Sequence, residues 1–163
     1  MTCENSPEKR LVADVLVKVS GDLVESEQFY DWLSSLNTPQ TRLFILCGGG
    51  SAITEKLNGQ GIGFRFTEAG REIESEEGRI LAQQVLEDQK RLVEERLQKK
   101  GIEATVFIPT MAINSRAFHI NGDLLVEALH PSFDKIYVVT LQQRTKTFPE
   151  KFNKIEVVKL GNN

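Results

Sequence analysis

The chain has 163 residues, with 20 Lys and Arg against 23 Asp and Glu, a formal net charge of −3 and two histidines. One domain with a real core fits that length, and the acidic balance, with one Trp and two Tyr, argues against a nucleic-acid partner. No apolar run reaches the roughly 18 residues of a membrane span, and the polar first ten residues lack the apolar core of a secretion signal.

Residues 1–10 read as a flexible tail, and residues 11–163 as a single domain. The first strand is expected over 11–19 and the first helix over 25–36, where Phe29, Trp32, Leu33 and Leu36 share one face. Asn37, Thr38 and Pro39 stop that helix. A second strand over 43–47 leads into a short helix over 51–58, ended by Gly59. Segments 62–66 and 72–73 form a hairpin around Gly70. The longest element is a helix over 75–100. Its stripe of Leu81, Val85, Leu86, Leu92, Val93 and Leu97 suits packing on a sheet, with Ser75 and Gly78 at its start and Gly101 at its end. Glu76, Glu77, Glu94 and Glu95 read as its solvated face. A strand over 102–108, a turn-rich stretch over 109–116, a helix over 123–129 and strands over 135–140 and 155–160 complete the chain. Strands alternating with helices predict an α/β three-layer sandwich around a mainly parallel sheet.

Two of the strand ends carry glycines: Lys18-Val19-Ser20-Gly21-Asp22 and Cys47-Gly48-Gly49-Gly50-Ser51. A strand, a glycine turn and a helix together direct backbone N–H groups and a helix N-terminus at an anion. Lys18 adds a point charge at the same place. Triple glycine also serves ordinary tight turns. The cysteines Cys3 and Cys47 and the histidines His119 and His130 have no metal-ligand spacing, so no metal site is expected. A reducing, cytoplasmic compartment fits the two thiols, and Cys47 reads as a small core residue.

The order of these motifs resembles the amino acid kinase family, most closely its acetylglutamate kinase branch, across residues 11–140. The segment VLVKVSGD (15–22) matches the family's opening strand with its lysine and glycine pair, and FILCGGGSAI (44–53) its triple-glycine strand. RFTEAGREIES (65–75) is similar to the hairpin carrying the substrate-gripping arginine, here Arg71. His119-Ile120-Asn121-Gly122-Asp123 looks like the segment that opens a helix with the catalytic aspartate. The resemblance implies phosphoryl transfer from ATP with Mg²⁺ to a carboxylate or phosphate, achieved by charge stabilisation and alignment. Lys18 and Asp123 would be catalytic, Asp123 orienting Lys18 and a second lysine. Gly21, Gly48, Gly49, Gly50 and Ser51 would hold phosphoryl oxygens, Arg71 a substrate carboxylate, and His119 and Asn121 would line the same site. It also implies a homodimer through helix 75–100.

The chain departs from that pattern. Residues 140–145 read TLQQRT where the family has an aspartate and a glycine, and the second lysine has no assignable counterpart among Lys135, Arg144, Lys146 and Lys151. Asp22 sets a negative charge beside the phosphate position, and His119 replaces an asparagine. The leading expectation is therefore a truncated, inactive relative that binds a small carboxylate or phosphate, with no cofactor assigned. An active kinase using ATP and Mg²⁺ is the alternative, and a structural protein using only the fold and dimer interface is the third. Arg71 is equally placed to pair with Glu68 or Glu72 at the surface, and His119 to cap a turn.

Overall fold

The computed structural model describes residues 12–161, so the expected tail and Cys3 lie outside the described residues. The elements in chain order are β1 (Ala13–Val19), α1 (Glu27–Ser34), β2 (Thr41–Cys47), α2 (Gly50–Gly59), β3 (Arg65–Thr67), β4 (Gly70–Glu72) and α3 (Glu76–Lys100). They continue with β5 (Ala104–Phe107), β6 (Thr110–Ile113), β7 (Arg116–His119), α4 (Gly122–Leu129), β8 (Lys135–Leu141) and β9 (Ile155–Leu160).

Along β1 the side chains alternate between two faces. Val15, Val17 and Val19 pack with Leu43, Ile45, Cys47 and Val139 beneath α1 and α3, in a core closed by Phe29, Tyr30, Leu33, Val93 and Leu97. Leu16 points the other way and joins Leu46, Ile136 and Val138 under Val126 of α4. Helices thus cover both faces of one five-stranded sheet, in the order β5-β2-β1-β8-β9. The expected α/β sandwich is found. Every pairing within this sheet is parallel, where the sequence predicted mainly parallel order. Burial on both faces explains why β1, β2 and β8 read as continuous apolar runs.

The long helix α3 is capped at both ends as expected. Ser75 Oγ accepts from Gly78 N–H at 3.0 Å, and Gly101 adopts the left-handed conformation at φ 66°. Leu81 and Leu92 are only partly buried, and Ala82 supplies the close approach instead. The expected hairpin is found with shifted bounds: its first strand is Arg65–Thr67 instead of 62–66, and its second is Gly70–Glu72 instead of 72–73, so Gly70 starts a strand. The stretch over 109–116 is corrected: it contains strand β6, and with β7 forms a second hairpin, turned by Asn114 and Ser115 at φ 48° and 64°. Two successive positive φ values match the twist of a two-residue hairpin loop.

Candidate functional site

Parity along β1 decides where Lys18 goes. It shares the face of Leu16, the face α4 covers, and the first turn of α4 carries Asp123. Lys18 Nζ lies 3.1 Å from Asp123 Oδ1, with the lysine 8% exposed. The contact is a close, largely buried ion pair. Asn121 fixes this corner by accepting the N–H of Asp123 at 2.8 Å, as the N-cap of α4. Gly122 leaves room for the lysine stem: a Cβ there would sit 3.3 Å from Lys18 Cε.

The second oxygen of Asp123 is held by Lys146. This lysine comes from the loop after β8, which turns back when Arg144 N–H donates to the Leu141 carbonyl at 3.0 Å. Asp123 therefore joins two lysines, the arrangement the sequence could not complete. Burial alone would raise the Asp123 carboxyl, but the charges of Lys18 and Lys146 outweigh it and hold it below its ordinary value. Burial lowers Lys18, and Asp123 offsets that only partly.

The glycine turns meet where the strand ends converge. Gly48 N–H donates to the Val19 carbonyl at 2.9 Å, and Ser20 N–H to the Val139 carbonyl at 3.0 Å. Gly21 lies directly on the backbone of Gly48, Gly49 and Gly50, so no side chain fits there. Asp22 fills the end of α2: Ser51 N–H donates to its Oδ1 at 2.8 Å, and Arg144 Nη2 pairs with its Oδ2 at 2.6 Å. Burial would raise the Asp22 carboxyl, yet the Ser51 hydrogen bond and the Arg144 charge bring it down.

Arg71 turns inward. Its Nη2 donates to Thr54 Oγ1 at 2.8 Å and to the Gly50 carbonyl at 3.2 Å, and its guanidinium lies over the rings of Phe64 and Phe66. The surface pairing with Glu68 or Glu72 is corrected, because Glu72 is taken by Arg65 at 2.6 Å. Antiparallel alternation sends neighbouring residues of β4 to opposite sides. His119 ends β7 with Nδ1 buried and without a partner among the described residues. Burial pushes its imidazole down to about 4, helped by the Arg71 charge, so the ring is neutral at pH 7.

These residues surround one open cavity of about 510 Å³, lined among others by Lys18, Gly48, Arg71, His119, Arg144 and Lys146. Gly21, Gly49, Gly50, Ser51, Asn121 and Asp123 also border it, so every site residue expected from the sequence converges here. Four cations face two carboxylates, Asp22 and Asp123, leaving an excess of two positive charges for a ligand. Arg144, Lys146, Thr54 and Phe66 are among the additions, and no periodicity in the sequence marks them. Cys47, by contrast, is core: burial pushes its thiol up to about 12.

Among the described residues, no helix is long and apolar enough to cross a membrane, and no cluster of three or more His, Cys, Asp or Glu side chains could hold a metal ion. No family model matches the chain, and no curated protein matches it. Its fold is similar to the crystal structure of smu.665 from Streptococcus mutans UA159, with a TM-score of 0.62 over 78% of this chain and 72% of that one. At 15% sequence identity, the likeness establishes a shared α/β fold.

Proposed function

We propose that this protein is an amino acid kinase-like domain that binds a small anionic metabolite, a carboxylate or phosphate, without transferring a phosphoryl group. The observation that carries this reading is the net excess of two positive charges at the strand ends, built from Lys18, Arg71, Arg144 and Lys146 around Asp22 and Asp123. Preorganised cations on a buried floor recognise an anion at little reorganisation cost. Transfer needs more. Mg²⁺ takes oxygen ligands, and both carboxylates here are already neutralised, Asp123 by two lysines and Asp22 by Arg144. The residues at the cradle therefore do not fit a protein-held Mg²⁺, and no step through ATP is assigned.

Titration calorimetry and thermal shift with inorganic phosphate, glutarate and N-acetyl amino acids test the reading. Binding of at least one at millimolar concentration or below, weakened about a hundredfold by Lys18→Ala, is the expected result. No stabilisation by any of them rejects it.

The second reading, an active ATP-dependent phosphotransferase, is favoured by one observation: Lys18 and Lys146 flank Asp123 as the resemblance requires of a lysine pair. ATP consumption that disappears in both Lys18→Ala and Asp123→Ala would establish it over the first.

A homodimer through α3 belongs to the same proposal. Ile80 on that helix is 52% exposed, and among the described residues β9 ends the sheet as a strand paired on one edge. Sedimentation as a monomer at about 100 μM removes the pairing. The buried free thiol of Cys47 suits the cytoplasm as the compartment.

A further inference from the structure

The end of α2 is where an oxyanion would ordinarily be held, by backbone N–H groups and the positive end of the helix. Here the chain supplies its own anion. Asp22 Oδ1 accepts from Ser51 N–H at 2.8 Å. Its other oxygen takes Arg144 Nη2 at 2.6 Å and lies 3.4 Å from Ser20 Oγ, which Arg144 Nη1 also reaches at 3.2 Å. Its side chain is only 13% exposed.

The turn is shaped around that carboxylate. Gly50 takes φ 56°, and a Cβ on it would come within 2.8 Å of both Asp22 N and Asp22 Oδ1. Its lack of a side chain is what lets Asp22 approach. Gly21 meets the turn from the other side with no space for a side chain. Two glycines thus hold an internal carboxylate in place.

We propose that Asp22 is a specificity residue: by filling the α2 end and neutralising Arg144, it rejects phosphate and leaves the cradle to carboxylates. This rests on the anion-binding reading above. A phosphoryl group draws its affinity from several N–H donors around a tetrahedron of oxygens. At this turn it meets one donor already used, one arginine already paired, and a fixed negative charge a hydrogen bond away. The remaining cationic surface, Lys18 and Lys146 on Asp123 with Arg71 in the same lining, carries three cations against one carboxylate and is left for a carboxylate ligand.

The test compares wild type with Asp22→Asn and Asp22→Ser in calorimetric titrations with inorganic phosphate and with glutarate. Asparagine keeps the shape and the acceptor for Ser51 while removing the charge; serine keeps a short cap, so a folding defect in one variant leaves the other to report. The expected result is phosphate binding tightened about tenfold or more in the variants, with glutarate changed by less than about threefold. A side chain that only caps α2 predicts a lower melting temperature and unchanged phosphate affinity, and that outcome overturns the proposal. If wild type binds neither phosphate, glutarate nor the N-acetyl amino acids, the anion-binding reading falls by itself, and the gain or absence of gain in phosphate affinity in the variants still decides the role of Asp22.

Discussion

Two small ion networks lie on opposite faces of the sheet, and they are near mirror images in charge. Under α4, one carboxylate, Asp123, holds two lysines, Lys18 and Lys146. On the outside of α1 and α3, one lysine, Lys100, holds two carboxylates, Glu27 at 2.9 Å and Asp31 at 3.0 Å, while Arg96 reaches Glu27 at 2.5 Å. The surroundings differ more than the distances. Lys18 and Asp123 have side chains 10% and 23% exposed, against 57% and 71% for Glu27 and Asp31. Attraction between charges grows as water is excluded, and so does the cost of leaving one unpaired. The outer network balances two cations with two carboxylates and finishes its work in fastening helices. The inner one carries more cations than it can neutralise at a cavity, and that surplus is what the proposed anion binding rests on.

The sharpest way to probe the inner side uses its buried histidine. An unfolded chain protonates His119 below about 6.5, whereas the folded ring resists until about 4. Between those values the unfolded state binds more protons, so stability is full above pH 6.5 and falls as pH drops toward 4. The interval sets an upper limit of about 3 kcal/mol for the loss. The lowered carboxyls of Asp22 and Asp123 give up their stabilisation only below the ordinary carboxylate value, so they add little down to about pH 4.5. Urea unfolding at about pH 6.5 and 4.5 should show a clear drop for wild type and a much flatter response for His119→Asn. Equal slopes in the two proteins would mean that the ring titrates freely, and the inner region would lose its claim to be the drier one.

What could be read from the chain followed from how local each feature was. The apolar runs of β1, β2 and β8, the glycines ending two of them, and the capped, striped α3 are written in consecutive residues, and their order carried the fold. The pairing of Lys18 with Asp123 was reached only because the motif order resembled a known family, since nothing within either segment points to the other. Lys146 and Arg144 sit in a loop without periodicity. Their partners, Asp123 and Asp22, lie 23 and 122 residues away along the chain, so contact depends on where the loop folds back. The β6–β7 hairpin escaped for a different reason. Met111, Ile113 and Phe118 alternate as strand residues do but remain exposed, and Asn114-Ser115 lacks the glycine that usually announces such a turn.

The outer network gives the smallest expected effect, and its smallness is informative. Lys100 draws its raised pKa first from the Glu27 hydrogen bond and then from Asp31, both on exposed side chains. Ordering long side chains at a wet surface offsets most of what the attraction returns. In Lys100→Ala, Arg96 also remains to satisfy Glu27. The variant should melt slightly below wild type at low salt and together with it in about 0.5 M NaCl, where screening acts within a few ångströms. Anion binding should match wild type in both buffers, because no residue of this network lines the cavity. A salt-resistant loss of stability would instead assign the α1–α3 clamp the energetic character reserved here for the buried side, and the contrast between the two faces would fail.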